Sequence, residues 1–124
     1  MEIKNNNQFN ILEKTILGWF IENYKNPILT AQIENARLKE RRWTKVGFYV
    51  DLEVSNDLKS IDWSSFKKEG FPINGPDIES EDIEFGACSL LWGKNGYINC
   101  IELAAFGSFF KEHVKNFKLI SQRK

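Results

Sequence analysis

The 124 residues include 17 basic and 17 acidic side chains, so the formal net charge is zero. Nucleic-acid-binding proteins usually carry a basic excess, because phosphate neutralisation supplies much of their affinity. We therefore expect no nucleic-acid partner. The chain also lacks the run of about 18 apolar residues that spans a membrane, and its polar start, MEIKNNNQFN, does not resemble a signal peptide. These features predict a cytoplasmic protein without a membrane partner.

The length is that of one domain, large enough for a single hydrophobic core. Hydrophobic residues make up 42% of the chain, close to the usual share in globular proteins. The sequence predicts a flexible N-terminal segment at residues 1–9 and a single folded domain at residues 10–124.

Two amphipathic helices are predicted at the start of the domain. Asn10 and Glu13 have the spacing of a capping box, which predicts a helix over residues 11–23. Asn26 and Pro27 are typical of a helix start and predict a second, shorter helix over residues 27–34. Each helix has apolar residues three and four positions apart, and these residues need an apolar surface to cover.

From Ala36 onward the apolar period changes to two, which indicates strands. Residues 36–44 predict a polar edge strand, and residues 46–54 alternate cleanly, with Phe48 on the inner face. An acidic strand (77–85), a hairpin (87–92 and 97–103, with an Asn95-Gly96 turn) and a closing strand (116–121) follow. The predicted fold is α+β: two N-terminal helices pack on one face of a mostly antiparallel sheet of about five or six strands.

The hairpin GACSLLWGKNGYINCIEL, residues 86–103, holds both cysteines. A short hairpin loop places Cys88 on one face with Trp92 and Leu103, and Cys100 on the other face with Glu102. We therefore expect no disulfide between Cys88 and Cys100, and predict that both are reduced and mostly buried.

No catalytic constellation is evident from the residue types and spacings. A nucleophilic cysteine needs a nearby base or positive field, and the single histidine, His113, lies on a different element. Structural zinc sites usually use four Cys or His ligands, whereas this chain has three such residues in total. We therefore expect no cofactor, no metal site and no enzymatic activity.

Glu102 is the one residue that keeps an enzymatic hypothesis open. A carboxylate in the middle of a strand could be buried and act as a general acid or base. The alternatives are pairing with a basic residue of the neighbouring strand, or a solvent-facing position. Acid–base catalysis usually needs two positioned groups, and the sequence identifies no partner for Glu102.

Two segments of opposite charge lie within this neutral chain. Residues 37–45 hold five basic side chains and one acidic one, and residues 77–84 hold five acids: Asp77, Glu79, Glu81, Asp82 and Glu84. One interpretation is that the acids pair across the sheet with Arg37, Lys39, Arg41 and Arg42. The other is that the acids form a docking surface for a basic partner.

The segment from residue 55 to residue 76 is rich in polar and turn-forming residues, and it contains Trp63, Phe66 and Phe71. A loop of this length is usually either functional or held by its own side chains, and the aromatic residues favour a loop that is held in place. In the docking hypothesis, these three residues supply the aromatic anchors beside the acidic run.

Two stretches, QIENARLKERRWTKVGFYVDLEV and GACSLLWGKNGYINCIELAAFGSFFKEHVKNFKL, resemble a group of small, immunity-protein-like bacterial proteins of unknown function. The group has a Thr-x-x-Gly-Phe strand and a Gly-turn/Ile-Glu hairpin. The resemblance covers roughly residues 11–120, and its motifs are mostly glycine turns and core positions. The chain departs from the pattern after Gly107, where SFFKEH replaces a tryptophan-proline pair. The resemblance supports the fold and transfers no activity. The matching residues are Thr44, Gly47, Phe48, Gly86, Gly96, Glu102 and Gly107.

The leading hypothesis for function is a small cytosolic protein-binding domain, in its most concrete form an immunity protein that neutralises a cognate toxin domain. Small size, one domain, an acidic segment and an aromatic loop favour this hypothesis. The alternative is a small-ligand-binding or regulatory domain with a pocket between the helices and the sheet.

Overall fold

A computed structural model describes residues 8–66, 70–111 and 114–121, with the backbone alone at 65–66. Two helices, α1 (Ile11–Tyr24) and α2 (Pro27–Glu34), precede the strands. Seven strands form one antiparallel sheet with the order β1-β2-β6-β5-β4-β7, and β3 pairs with β5. The strands are β1 (Arg37–Trp43), β2 (Gly47–Glu53), β3 (Ile73–Asn74), β4 (Asp77–Ser80), β5 (Ile83–Lys94), β6 (Tyr97–Ala105) and β7 (Lys118–Ile120).

The predicted α+β class is confirmed, but several strand boundaries differ from the prediction. The sequence predicted one acidic strand over residues 77–85, but the chain turns at Glu81 and Asp82, so that Ser80 faces Ile83 across the turn. The second strand, β5, then continues without a break into the hairpin. The two-residue strand β3 was predicted as loop, because two residues are too few to show an alternating pattern.

The predicted capping box begins α1. The side-chain oxygen of Asn10 accepts a hydrogen bond from the Glu13 N–H at 2.8 Å, and the Glu13 carboxylate accepts one from the Asn10 N–H at 2.9 Å. Phe9, which the sequence placed in the flexible segment, is buried just before this cap. The rest of that predicted segment, residues 1–7, lies outside the described residues.

One hydrophobic core lies between the two helices and the inner face of the sheet. Phe20 and Leu29 of the helices are fully buried in the same cluster as Val50 and Ile101 of the sheet. The packing is close: a Cβ at residue 75 would lie 2.7 Å from the ring carbon Cζ of Phe20, which is why glycine occupies this position.

A bulge in the hairpin reverses one predicted face assignment. Next to the turn, Gly93 faces Ile98, but the following pair is Trp92 with Cys100, so β6 contains one extra residue, Asn99. This insertion shifts the side-chain alternation by one position. Ile101 and Leu103 therefore face the core, and both cysteines lie on the outer face, so the prediction that they occupy opposite faces is wrong.

The cysteines are nevertheless too far apart for a disulfide. Cys88 faces Ala104, four residues along β6 from Cys100. Four strand residues extend about 13 Å, whereas the Cα atoms of a disulfide are roughly 4–7 Å apart. Both thiols are free, with Cys100 buried and Cys88 half-buried. The burial prediction is confirmed for Cys100 and only partly met for Cys88.

The long loop between β2 and β3 is held in place, as its aromatic residues predicted. The buried side chain of Gln32 donates to the backbone oxygens of Lys59 (2.9 Å) and Gly96 (3.0 Å), and its own oxygen accepts from the Ile98 N–H (2.9 Å). Tyr97 Oη donates to the Leu58 oxygen at 2.8 Å. These hydrogen bonds join α2, the loop and the hairpin turn into one unit.

Candidate functional site

The basic and acidic runs do not pair with each other. Strands β2, β6 and β5 separate β1 from β4, and four strand spacings of about 4.8 Å place the runs roughly 19 Å apart. Arg41 instead pairs with Glu13 of α1 at 2.6 Å, and Arg42 pairs with Asp51 of β2 at 2.7 Å. The cross-sheet pairing interpretation is therefore wrong, because the topology places the two runs in different halves of the sheet.

The acidic run forms the turn between β4 and β5. Glu79, Glu81 and Glu84 are exposed there. Asp82 has a structural role, because its carboxylate accepts a hydrogen bond from the Lys115 N–H at 2.9 Å. Asp77 is half-buried and faces Ile120 of β7. Three of the five predicted acids are thus exposed to solvent.

Exposed phenylalanines accompany these acids. Phe85 directly follows Glu84 and is 62% exposed, and Phe106 at the end of β6 is 44% exposed. The two rings lie against neighbouring glycines: a Cβ at residue 107 would lie 3.8 Å from Phe85, and one at residue 86 would lie 3.9 Å from Phe106. The Phe106 N–H also donates to the Gly86 oxygen at 2.8 Å, which fixes the two strand ends together.

We call these five side chains the acidic–aromatic surface: Glu79, Glu81, Glu84, Phe85 and Phe106. Sequence reasoning missed its aromatic part, because it assigned Phe85 to the acidic strand and Phe106 to a connection. The one sign in the sequence is that Phe85 directly follows the acidic run.

The aromatic anchors predicted from the loop lie elsewhere. Trp63 and Phe71 pack edge to face, with ring centroids 4.4 Å apart, and the Phe71 ring lies against Gly93 near the far end of β5. Ten strand residues, roughly 30 Å, separate Gly93 from the acidic turn. The side chain of Phe66 lies outside the described part of the chain. Trp63 and Phe71 therefore secure the loop against the hairpin and cannot share one small surface with the acids.

Glu102 belongs to a second group of polar residues, on the outer face of the sheet. Its carboxylate accepts a hydrogen bond from Trp92 Nε1 at 2.8 Å and is half-buried. Nearby, Arg42 pairs with Asp51 through two hydrogen bonds and lies over the Tyr49 ring, 4.6 Å from its centroid. The partner of Glu102 is thus a tryptophan N–H, which was not among the alternatives considered from sequence.

The electrostatics of this outer face disfavour a cysteine nucleophile. Burial, reinforced by the neighbouring Asp51 carboxylate, raises the pKa of the Cys100 thiol to about 12. Burial also raises the pKa of Cys88, with smaller effects from the charges of Asp77 and Glu102. Both side chains are therefore thiols near neutral pH, and thiols are poor nucleophiles and poor metal ligands. His113 lies outside the described residues.

A separate cleft of about 460 Å³ lies where α1 begins, between its first turn, β2 and the chain after β6. The apolar residues that line it are Phe9, Ile11, Leu12, Phe48, Phe110 and Val114, and the polar ones are Asn10, Lys14 and Lys115. The described residues that line this cleft include none from α2, so it does not match the pocket between both helices and the sheet that the sequence offered as the alternative.

Within the described ranges, no group of three or more His, Cys, Asp or Glu side chains could hold a metal ion. Neither α1 nor α2 is long and apolar enough to cross a membrane. No family model matches this chain, and comparisons with curated proteins and with solved structures find no match.

Proposed function

We propose that this chain is a small cytoplasmic protein-binding domain that docks a basic partner through the acidic–aromatic surface. In its most concrete form it is an immunity protein that neutralises a cognate toxin domain. The observation that carries the proposal is Phe85, a large aromatic side chain that is 62% exposed beside three exposed glutamates.

An exposed phenylalanine keeps apolar area in water, where it contributes little to folding. Binding energy at protein interfaces concentrates on a few such anchors, which insert into pockets and are surrounded by polar residues that exclude water. Phe85 directly follows Glu84 on β5, and Glu79 and Glu81 lie on β4 and in the turn that precedes β5. The hydrogen bond from the Phe106 N–H to the Gly86 oxygen joins the end of β6 to the start of β5, so the backbone that carries both rings is ordered before a partner arrives.

The glutamates would act mainly on the rate of association. Charges at the edge of an interface attract an oppositely charged partner, and this attraction weakens as salt is added. A basic toxin domain, for example a nuclease whose active site must bind phosphates, is the kind of partner that such a surface would attract. An inhibitor of this kind needs no catalytic group of its own.

The test uses the protein encoded by the adjacent reading frame as the partner. Association is measured by surface plasmon resonance at low and high salt for the wild type, E81K/E84K and F85A. The matched control is E22K/D57K, which changes two exposed acids far from the surface. We expect E81K/E84K to slow association about tenfold at low salt, with a much smaller change at high salt.

F85A should leave the association rate nearly unchanged and increase the dissociation rate by about tenfold or more, as for a central aromatic anchor. In cells that express the neighbouring protein, E81K/E84K and F85A should each protect less well than the wild type. Equal losses for E81K/E84K and the control E22K/D57K would contradict the proposed surface. Failure of the wild-type chain to bind or protect against its neighbour would contradict the immunity function.

A further inference from the structure

A small cavity on the outer face of the sheet lies outside the acidic–aromatic surface. Its volume is about 300 Å³, at the lower end of the range for ligand sites. Its walls include Trp92 of β5, Glu102 of β6, Arg42 of β1, and Tyr49 and Asp51 of β2. Trp92 is 37% exposed, and the Arg42 side chain is 52% exposed. These walls therefore present side-chain surface that a ligand can contact.

The charges on the walls of this cavity do not balance. Arg42 and Asp51 compensate each other through two hydrogen bonds, of 2.7 and 2.9 Å. Lys39, the other base whose charge acts on Asp51, does not line the cavity. Glu102 accepts a hydrogen bond from the neutral Trp92 Nε1–H at 2.8 Å, and no lysine or arginine within the described ranges forms an ion pair with it. The half-buried Glu102 carboxylate is therefore the uncompensated charge of the cavity.

The neighbouring ion pair on the same face shows which group such surroundings hold. The Arg42 guanidinium donates to Asp51 and lies over the Tyr49 ring, 4.6 Å from the centroid. A guanidinium is planar, so its face can stack on an aromatic ring while its edge donates to a carboxylate. Glu102 and Trp92 offer the same two groups, a carboxylate beside an aromatic ring. An anion would be repelled by Glu102, and a neutral ligand would leave its charge uncompensated.

We propose that this cavity binds the guanidinium group of an arginine side chain, which pairs with Glu102 and stacks on the Trp92 ring. The arginine belongs to the basic partner, so this inference rests on the proposed function and identifies a second contact of the same complex. The Trp92 Nε1–H holds one oxygen of Glu102 in place, so the carboxylate is oriented before the arginine arrives.

The position of the cavity allows one partner to cover it together with the acidic–aromatic surface. Phe106 follows Glu102 by four residues along the chain, which is about 13 Å in an extended strand. A standard interface of about 800 Å² per partner is roughly 30 Å across. Between them on the outer face lie Ala104 and Cys88, which face each other, are half-buried and carry no formal charge near neutral pH. No ionic group of these two residues opposes a basic partner there.

The first experiment tests the cavity without the partner. The nitrogen-15-labelled full chain is titrated with N-acetylarginine amide and with N-acetylcitrulline amide, its neutral analogue of nearly the same shape. The NMR signal of the Trp92 indole N–H, assigned with W92F, reports binding. We expect a saturable shift with the arginine probe, with a Kd on the order of millimolar, and a much smaller one with citrulline. Equal shifts with the two probes, or none with arginine, would overturn the proposal.

E102Q assigns the binding to the carboxylate. Glutamine keeps an oxygen that can accept the Trp92 N–H and removes only the charge. E102Q should weaken the arginine probe about tenfold, whereas the control E22Q, which changes an exposed acid on α1, should bind it as the wild type does. An unchanged affinity of E102Q would mean that Glu102 is not the binding group.

Surface plasmon resonance with the protein from the adjacent reading frame then tests the role of the cavity in the complex. E102Q should dissociate about tenfold faster than the wild type, and E22Q should not. If the wild type binds and E102Q dissociates at the same rate, docking stands and the arginine contact is wrong. If the wild type does not bind its neighbour, the immunity function fails, and a response to the arginine probe that E102Q loses would still support the guanidinium site.

Discussion

Arg41 and Arg42 are neighbours on β1, yet they lie in two different environments. Arg41 faces the helices, opposite Val50, and pairs with a Glu13 carboxylate that is fully buried. Arg42 faces outward, opposite Tyr49, and pairs with Asp51 beside solvent. The same kind of ion pair therefore has a structural role on the covered face of the sheet and a surface role on the open face.

The comparison shows that the burial of the partner carboxylate, rather than the ion pair itself, decides how much each arginine contributes to the stability of the fold. Loss of Arg41 would leave the Glu13 carboxylate without its counterion in the core. The same carboxylate completes the capping box of α1. Loss of Arg42 would leave Asp51 next to water, which can solvate it. The glutamates of the acidic turn are exposed, so we expect their charges to contribute even less to stability than the Arg42–Asp51 pair.

The largest expected difference between the two faces is at Phe48 and Tyr49. Phe48→Ala removes a core aromatic ring and should lower the free energy of unfolding by about 3–5 kcal/mol. Tyr49→Ala removes a half-buried ring from the outer face and should cost about 1 kcal/mol. Urea denaturation measures both. Equal midpoints for the two variants would mean that the faces of β2 are assigned incorrectly.

The next largest expected difference in stability is between substitutions of Arg41 and of Arg42. Arg41→Gln should lower the free energy of unfolding by about 3 kcal/mol, because it leaves the buried Glu13 carboxylate unpaired. Arg42→Gln, the matched control on the same strand, should change it much less. Thermal and urea melts at neutral pH compare the two. A larger loss for Arg42→Gln than for Arg41→Gln would contradict the role assigned to burial.

The Arg42–Asp51 pair also predicts a pH dependence. The hydrogen bonds from Arg42 hold the pKa of Asp51 below its ordinary value. The stability that this pair contributes is therefore fully present above the unfolded pKa of about 3.9, and is lost as the pH falls through the lower folded value. Urea melts of the wild type and Arg42→Gln should converge below that window. A difference that persists at lower pH would indicate another cause.

The cysteines probe the outer face through their reactivity. Because the pKa of Cys100 is raised to about 12, it should react with a thiol reagent at pH 8 about a thousandfold more slowly than in the unfolded chain. Cys88, half-buried and with a smaller shift, should react faster than Cys100. Mass spectrometry of timed labelling separates the two. Rapid labelling of Cys100 in the native protein would contradict its burial.

Much of this fold could be predicted from short-range signals. The capping box at Asn10, the alternation in β2 and the Asn95-Gly96 turn each depend on nearby residues, and the structure has all three. The bulge at Asn99 could not be predicted, because one extra residue leaves no mark in the sequence but shifts every face assignment between it and the strand end. The partners of Arg41 and Gln32 depend on which elements become neighbours in three dimensions.

The candidate surface was predicted only in part, because its members also depend on which elements become neighbours in three dimensions. The charge of residues 77–84 is visible in the sequence, whereas their separation from Trp63 follows from the length of β5. Phe106 joins Phe85 only because the ends of β5 and β6 meet at Gly86. Composition could therefore indicate an acidic docking segment but could not identify its aromatic neighbours.

The most direct test of the account is the urea midpoint of E81K/E84K. If the acidic turn is free for docking, the double substitution should change the free energy of unfolding by less than about 0.5 kcal/mol, as expected for exposed charges. If these acids stabilise the fold through charge pairs, the change places like charges together and the midpoint falls. An unchanged midpoint is the result that we predict, and a loss as large as that of Arg41→Gln would contradict the proposed surface.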